Sequence, residues 1–240
     1  MSSFLSFAQL CQRVEGVSGS LEKIELVASL LKDLDDDELE VASGFVMGEI
    51  FSPSLDLVMG VGPSILYEAM ARACGCSTER IMEWLRSTGD PGLVASIAVE
   101  NKKPIGFAAF IRHDPLSIKE VHQRLLTVAR ASGKGSQDTK VKNLLYLFSQ
   151  ATPLEGQYIA RLAIEDMRIG VGEGGMRDAI ARAFSRDPSE VERAYNLTND
   201  IGLVAVSARR GTLADLSVQI GRPIKMMLAQ VGEGISSSMQ

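Results

Sequence analysis

Apolar residues recur at helical spacing along almost the whole chain. In one stretch the apolar positions are Leu21, Ile24, Ala28 and Leu31, and residues 118–128 repeat the same spacing. Side chains three or four residues apart lie on one face of a helix, so each set can be buried together. No convincing run of alternating apolar and polar residues occurs before the last thirty residues. The pattern therefore predicts an all-α fold.

Helix start and stop signals accompany the apolar runs at regular intervals. The candidate capping boxes are Ser117 with Glu120, Thr152 with Glu155, and Asp187 with Glu190, and the prolines suited to a first helical position are Pro63, Pro91, Pro153 and Pro188. The glycines that follow apolar runs and are expected to end helices are Gly75, Gly89, Gly133 and Gly170. These signals predict a compact bundle of about a dozen helices over residues 1–218. Residues 219–240, with an extended stretch at 221–225 and a Gly/Ser-rich end, are expected to form a linker.

Composition excludes several classes of protein. The chain is 45% hydrophobic and 23% charged, which suits a globular core. It has no apolar run long enough to cross a membrane and no basic segment leading into an apolar one, so neither a membrane span nor a secretory signal is expected. Three cysteines do not make a disulfide framework and indicate a reducing, cytoplasmic setting.

The net charge of −5 is unevenly distributed. Residues 1–100 contain 6 Lys and Arg against 16 Asp and Glu, whereas residues 101–240 contain 19 against 14. A polyanionic partner is therefore expected to contact the second part, unless the charges merely reflect differing solvated faces. The acidic run at 33–38 is expected to be a solvated helix start rather than a metal site.

Two glycine-rich polar loops in the basic part are candidates for phosphate contact. Residues 170–175 match G-x-G-x-x-G, but a dinucleotide site needs a strand before that loop, and the preceding segment 153–167 has helical spacing. Residues 131–140 combine glycines, hydroxyls and lysines without the spacing of a P-loop. Both loops carry adjacent bases, including Lys134 and Arg177. They are expected to offer backbone N–H groups to a phosphate, the alternative being ordinary solvated helix caps.

The remaining conspicuous residues indicate little catalytic chemistry. Cys74 and Cys76 lack the further ligands of a zinc site and are expected to be buried thiols; no metal site is predicted. Trp84 and Phe148 are expected in the core. Phe107 and Phe110 lie in a stretch broken by Pro and Gly, where an aromatic pair can anchor a partner or pack on the protein's own core.

Several segments together resemble the N-terminal DNA-binding domain of ATP-dependent DNA ligases, with the archaeal and eukaryotic replicative type the nearest. The segments are Gly135–Asp138, Tyr158–Arg161, Met167–Gly174, Asp178–Ala181, Asn199–Gly202 and Arg222–Ala229, in the order and spacing of that family. The resemblance spans nearly the whole chain. It implies a monomeric all-α DNA-binding domain over 1–218, followed by a linker toward a nucleotidyltransferase domain.

The resemblance also implies a function and a set of contact residues. Such a domain lies across the minor groove of nicked duplex DNA and contacts phosphates without reading base sequence, in an enzyme of replication, repair and recombination. The counterparts of the family's DNA-contacting residues are Gly133, Gly135, Ser136, Lys140 and Lys142 in one loop, and Arg168, Gly170 and Gly172 in the other. A helical scaffold that binds only proteins is the alternative that the residues leave open.

Two departures from the family pattern bear on what this chain does. The catalytic lysine of the family lies in K-x-D-G, and none of the nine lysines here has that context. The chain ends at Gln240, about where that motif is expected, so the resemblance implies a fragment without a catalytic residue, with ATP and Mg²⁺ acting in the intact ligase. The family's archaeal members bind a sliding clamp through a loop ending in two adjacent aromatics, whereas Phe107 and Phe110 are separated by two alanines.

Overall fold

The computed structural model describes residues 2–102, 115–221 and 224–225. Within these ranges the protein consists of twelve α-helices joined by short loops, with 3₁₀ turns at Pro53–Leu55 and Leu213–Asp215 and no β-strand. The helices are α1 (Phe4–Gly16), α2 (Ser20–Asp33), α3 (Asp36–Met47), α4 (Pro63–Cys74), α5 (Thr78–Thr88), α6 (Pro91–Glu100), α7 (Ile118–Arg130), α8 (Ser136–Gln150), α9 (Pro153–Ala163), α10 (Glu173–Phe184), α11 (Pro188–Thr198) and α12 (Ile201–Arg210). The prediction of an all-α fold with about a dozen helices is confirmed.

The predicted helix starts are confirmed, but of the three predicted capping boxes only the one at α9 forms, and at α11 the Asp187 carboxylate accepts from the Ser189 N–H without a return bond from Glu190. At α9 both bonds of the capping box form: the Glu155 N–H donates to Thr152 Oγ1, and the Thr152 N–H donates to Glu155 Oε2 at 2.8 Å. At α7 the Ser117 hydroxyl accepts from the Glu120 N–H, but the Glu120 carboxylate accepts from the Tyr146 hydroxyl of α8 instead of returning to the cap. A tertiary contact has replaced half of that local motif.

The predicted helix ends are confirmed at two glycines and wrong at two others. Gly75 and Gly89 are left-handed caps of α4 and α5. Gly133 and Gly170 are also left-handed, at φ 73° and 70°, but α7 already ends at Arg130 and α9 at Ala163. These two glycines shape irregular loops that precede the next helix. A left-handed glycine marks a turn without specifying which helix it belongs to.

The chain contains two similar halves. Helices α4, α5 and α6 begin at Pro63, Thr78 and Pro91, and α10, α11 and α12 begin 110 positions later in each case. The same shift superimposes Gly-Val-Gly at 60–62 on 170–172, Ala-Arg-Ala at 71–73 on 181–183, and Gly-Leu-Val-Ala at 92–95 on 202–205. The halves are α1–α6 and α7–α12.

The two halves exchange helices in a reciprocal pattern, which implies an approximate twofold axis between them. Helices α2 and α3 of the first half pack on α10 and α12 of the second, while α8 and α9 of the second pack on α4 and α6 of the first. Near the axis, Ser3 and Ser117 form an isolated antiparallel bridge, and the Phe4 N–H donates to the Leu116 carbonyl at 2.7 Å. One continuous apolar core results, so neither half is complete alone.

The acidic run is a helix start, as predicted, but it is neutralised by the second half rather than simply solvated. Lys119 of α7 pairs with Asp37 at 3.0 Å, and Arg209 and Arg210 of α12 pair with Asp36. The excess negative charge of the first hundred residues is thereby reduced where the halves meet. None of the described helices has the length and apolar character needed to cross a membrane.

Candidate nucleic-acid interface

A lysine from α2 fixes the Gly170 loop of the second half. The Lys23 ammonium donates to the Ile169 carbonyl at 2.9 Å, and the Ile169 side chain is buried below the loop. A Cβ at Gly170 would lie 2.6 Å from Lys23 Nζ, which is the movable end of a long side chain, so glycine is favoured there mainly by the φ of 70°. Residues 168–172 with the start of α2 are called the second loop site below.

The first half carries the equivalent arrangement, with a lysine from α8. The Lys140 ammonium donates to the carbonyls of Met59 and Gly60 at 2.7 and 3.0 Å. A Cβ at Gly60 would lie 2.7 Å from Lys140 Nζ, and φ there is 53°. Residues 58–62 with the start of α8 at residues 133–136 are called the first loop site. The two glycine-rich loops found in the sequence therefore belong to different sites, related by the twofold axis.

The expectation that Lys140 is an exposed cation beside a loop is wrong. Its side chain is buried between α8 and α4, and its ammonium is engaged by two backbone carbonyls. It holds the 58–62 loop in place and is not available to a phosphate. Lys140 lies one turn into α8 among polar residues, so the local sequence does not reveal its burial. Only the packing of α8 on α4 brings the Met59 and Gly60 carbonyls to it. We remove Lys140 from the candidate phosphate ligands.

Backbone N–H groups are left uncapped at both loop sites. Eight of the twelve described helices begin at a Ser, Thr or Asp whose side chain accepts a hydrogen bond from the first turn. The other four, α2, α4, α8 and α10, begin at Gly19, Gly62, Gly135 and Gly172 and have no side-chain cap. These are the four helices that meet at the loop sites. At α8 the Ser136 N–H donates to the Gly133 carbonyl, and the other first-turn N–H groups that no side chain caps, together with the positive dipole ends, suit an anion.

Exposed polar side chains surround the start of α8 in the first loop site. Gly133 and Gly135 have φ of 73° and 85° and open space where a side chain would be, and Ser136 is the first residue of the helix. A hollow of about 410 Å³ is lined by two cations, Arg130 and Lys134, and by four hydroxyl residues, Thr127, Ser132, Ser136 and Thr139. Lys142 is exposed further along α8. The geometry permits a phosphate to approach both N–H and cationic groups.

Arg168 supplies the cation of the second loop site. Its φ is 57°, and its side chain is 43% exposed, with Nε donating to Asp166 at 2.7 Å. Gly172, the N-cap of α10, has open space around it. Arg177, also expected near this loop, is instead paired with Glu192 of α11. In the first half Val58 occupies the position equivalent to Arg168, so the cations of the two sites come from different places in the sequence.

A buried ion network supports the second loop site from beneath. Arg161 is only 2% exposed; it donates to Glu15 at 2.8 and 3.1 Å, to Asp90 at 2.7 Å and to the Met167 carbonyl at 3.3 Å. Hydrogen bonds from Arg161 hold the pKa of Glu15 below its ordinary value. Burial acts to raise the pKa of Asp90, but bonds from Arg161 and the Gly92 N–H outweigh it and leave that pKa lowered. The network ties α1, α6 and α9 to the loop.

Sequence reasoning missed the first-half loop at 58–62 and the lysines that hold both loops. The constant shift of 110 between two Gly-Val-Gly segments was the available signal. The dinucleotide interpretation of residues 170–175 is not supported, because the helix α9, not a strand, precedes the loop. Phe107 and Phe110 lie outside the described residues. Among the residues that are described, no three metal-binding side chains cluster.

Fold and site together define an all-α module of two similar halves that presents two uncapped, glycine-rich helix-start sites. Residues 3–181 match the family described as DNA ligase N terminus. The chain is 57% identical over 239 residues to a DNA ligase of Methanothrix thermoacetophila, and 45% identical over 246 residues to DNA ligase 2 of Methanosarcina acetivorans, each covering 100% of this chain. It is 39% identical over 241 residues to a DNA ligase of Archaeoglobus fulgidus, covering 99% of this chain. The chain belongs to the DNA ligase N-terminal family.

The chain spans 43% of the length of each of these three relatives. The rest of each relative is not matched by the 240 residues of this sequence. The family supports a role in a DNA ligase.

Proposed function

We propose that this chain is the DNA-binding part of an ATP-dependent DNA ligase and holds duplex DNA at a nick by its phosphate backbone. The observation that carries the proposal is that glycine N-caps without side-chain bonds occur at the four helices of the two loop sites, while the other described helices are all capped. Capping groups at those four helices would occupy the N–H groups that a phosphate needs.

The internal twofold relation supports a duplex as the partner. The two strands of DNA run antiparallel and are related by local twofold axes, which is why twofold protein assemblies match symmetric sites on DNA. Two equivalent loop sites on one chain can therefore engage one strand each. Backbone N–H groups and exposed cations contact phosphates irrespective of base, so binding is expected to be indifferent to sequence. That property suits a ligase, which acts on any nick.

The adenylyl-transfer chemistry is proposed to lie outside this chain. No K-x-D-G lysine occurs in its sequence, and the described residues form no cluster for Mg²⁺. The residues here therefore do not fit ATP or its metal, and no catalytic step is assigned to them. We place the proposed enzyme in replication, repair and recombination in the cytoplasm, acting as a monomer.

Fluorescence anisotropy on two duplexes of unrelated sequence, across a series of salt concentrations, tests DNA binding. Neutralising several phosphates predicts a log–log slope of affinity against salt of roughly −3 to −6, the same for both duplexes. Absence of salt-dependent affinity would instead favour a protein-binding scaffold. A strong preference for one duplex would indicate base readout.

Replacing an uncapped glycine with a capping residue separates DNA contact from folding. Gly172 has φ −92° and open space around it, so Gly172→Asp fits the backbone and adds an N-cap worth a few tenths of a kcal/mol. The introduced carboxylate would occupy the N–H groups of the first turn and repel a phosphate there. DNA affinity should therefore fall by about 10- to 100-fold, the value of one or two charge-assisted hydrogen bonds. Unfolding free energy should stay level or rise slightly.

The matched control is the opposite change at a capped helix. Asp187→Gly removes the cap of α11, where the carboxylate accepts from the Ser189 N–H at 2.8 Å. It should lower stability slightly and leave DNA affinity unchanged. If Gly172→Asp binds DNA as the unmodified chain does, the start of α10 is not a phosphate site.

A further inference from the structure

Two thiols lie in contact at the turn between α4 and α5. Cys74 is the last residue of α4, Gly75 is in the left-handed region at φ 67° and ψ 34°, and Cys76 precedes the α5 N-cap. The turn brings Cys74 Sγ to 2.8 Å from Cys76 Sγ. Cys74 is buried, whereas Cys76 is half-buried and open to a small reagent. With no third metal-binding side chain clustered there in the described part of the chain, a zinc site is not formed.

The separation of the two sulfurs is not far from that of a disulfide. A bonded pair of sulfurs is about 2.05 Å apart, so the two atoms need to approach by only about 0.8 Å. Gly75 makes the arrangement possible, because a residue with a side chain is strained at that φ. The positions equivalent to the two cysteines in the second half are Phe184 and Arg186, so the thiol pair is not required by the shared fold.

We propose that Cys74 and Cys76 form a reversible intrachain disulfide when the chain meets a small-molecule disulfide. The Cys76 thiolate attacks one sulfur of the reagent, forming a mixed disulfide and releasing one thiol. Cys74 then loses its proton to water and attacks Cys76 Sγ, and the second reagent thiol leaves. The protein loses two hydrogens and two electrons, and one reagent disulfide becomes two thiols. This inference is independent of DNA binding.

The surroundings of the thiols set the rate of the first step. Burial, followed by the neighbouring Cys74, raises the pKa of Cys76 to about 12. Only the thiolate attacks, so oxidation should be slow at neutral pH and should accelerate about tenfold per pH unit up to pH 10. Cys11, on α1, is completely buried and serves as an internal reference thiol.

Oxidation with excess oxidised glutathione at pH 7 and pH 9.5, followed by denaturation, alkylation with N-ethylmaleimide and mass spectrometry, tests the proposal. At pH 9.5 the expected product has lost two hydrogens, carries no glutathione and takes up a single alkyl group, on Cys11. Dithiothreitol should restore three alkylatable thiols. Peptide mapping should place the bond between residues 74 and 76.

Single variants keep the test decisive. Cys74→Ala should stop at a stable glutathione adduct on Cys76, and Cys76→Ala should remain unmodified at Cys74; circular dichroism checks that both fold. Three alkylatable thiols after treatment of the unmodified chain at pH 9.5 would overturn the proposal. A glutathione adduct that persists on the unmodified chain would overturn it equally, since it would show that Cys74 does not reach Cys76.

Discussion

Replacing Arg161 should be among the most destabilising changes in this chain. The guanidinium bonds two carboxylates at 2.7–3.1 Å: Asp90, which is buried like Arg161 itself, and Glu15, whose side chain is 38% exposed. Arg161→Met keeps most of the volume and removes the charge, leaving both carboxylates without their partner. Breaking a buried ion pair from one side costs about 3–5 kcal/mol. For a chain of this size that corresponds to a fall in Tm of about 6–20 °C.

The pH dependence gives this prediction a distinctive form. The pKa values of Glu15 and Asp90 are both lowered in the folded chain, so their contribution to stability is present above their unfolded pKa values, about 4, and is lost as the pH falls through the folded ones. The difference in unfolding free energy between the unmodified chain and Arg161→Met should therefore be largest near pH 7 and shrink below about pH 4.

Urea unfolding followed by circular dichroism at pH 7 and at several values below pH 4 measures both effects. Arg72→Met is the matched control, because Arg72 is an exposed partner of Glu68 and its loss should cost no more than about 0.5 kcal/mol. A cost for Arg161→Met no greater than for Arg72→Met would refute the reasoning. So would a deficit that stays constant as the pH falls.

Two further predictions concern the loop sites, and a third concerns the missing K-x-D-G lysine. Arg168→Ala should reduce the salt slope of DNA affinity by about one unit on any duplex. The control Arg182→Ala removes a cation of similar exposure, paired with Glu25 at 3.0 Å, and should leave the slope unchanged. Equal slopes in the two variants would remove Arg168 from the interface. Lys140→Met should lower the unfolding free energy by about 2–3 kcal/mol, because two carbonyls lose a charged donor. In the same urea titration the control Lys142→Met should change it by less than about 0.5 kcal/mol. Similar values for both variants would contradict the buried position of Lys140. Incubation with labelled ATP should leave the chain unlabelled on a denaturing gel, since it lacks the K-x-D-G lysine, and a labelled band at 25.9 kDa would contradict the absence of a nucleophile.

The helices and their starts were predictable from the sequence because they depend on local chemistry. Apolar spacing and the Thr152–Glu155 pair each act within a few residues, and the structure confirms both. The termination of α9 was not predictable in the same way. Gly170 was expected to end that helix, but six residues of irregular chain, two of them non-glycine residues with positive φ, separate Ala163 from it. Glu165 in the left-handed region and the bond from the Asp166 N–H to the Arg161 carbonyl end the helix locally, and the bond from Lys23 of α2 to the Ile169 carbonyl holds the rest of the segment.

The site itself was only partly predictable, because its lysines act over long sequence distances. Lys140 contacts residues about eighty positions earlier, and Lys23 contacts a carbonyl 146 positions later. Lys140 was predicted to contact a phosphate from its loop, and Lys23 was not singled out, because local patterns do not reveal the distant carbonyls. The pairing of each loop with a helix from the other half was likewise invisible to local patterns. The 110-residue shift identifies the equivalent loop at 58–62 but not its partner helix, because the helices that carry Lys23 and Lys140 begin 116 positions apart, at 20 and 136.

The choice of glycine at four helix starts is better explained by a ligand than by folding. Eight helices of the same protein use Ser, Thr or Asp at that position, so capping residues are compatible with this fold. Glycine at an N-cap costs only a few tenths of a kcal/mol relative to those residues, so four of them cost about 1 kcal/mol in total. That small loss leaves the N–H groups free. Because only Gly135 of the four has a positive φ, backbone strain does not require glycine at the other three positions. Their common feature is their place at the two loop sites, where a side chain would stand between the helix ends and a phosphate.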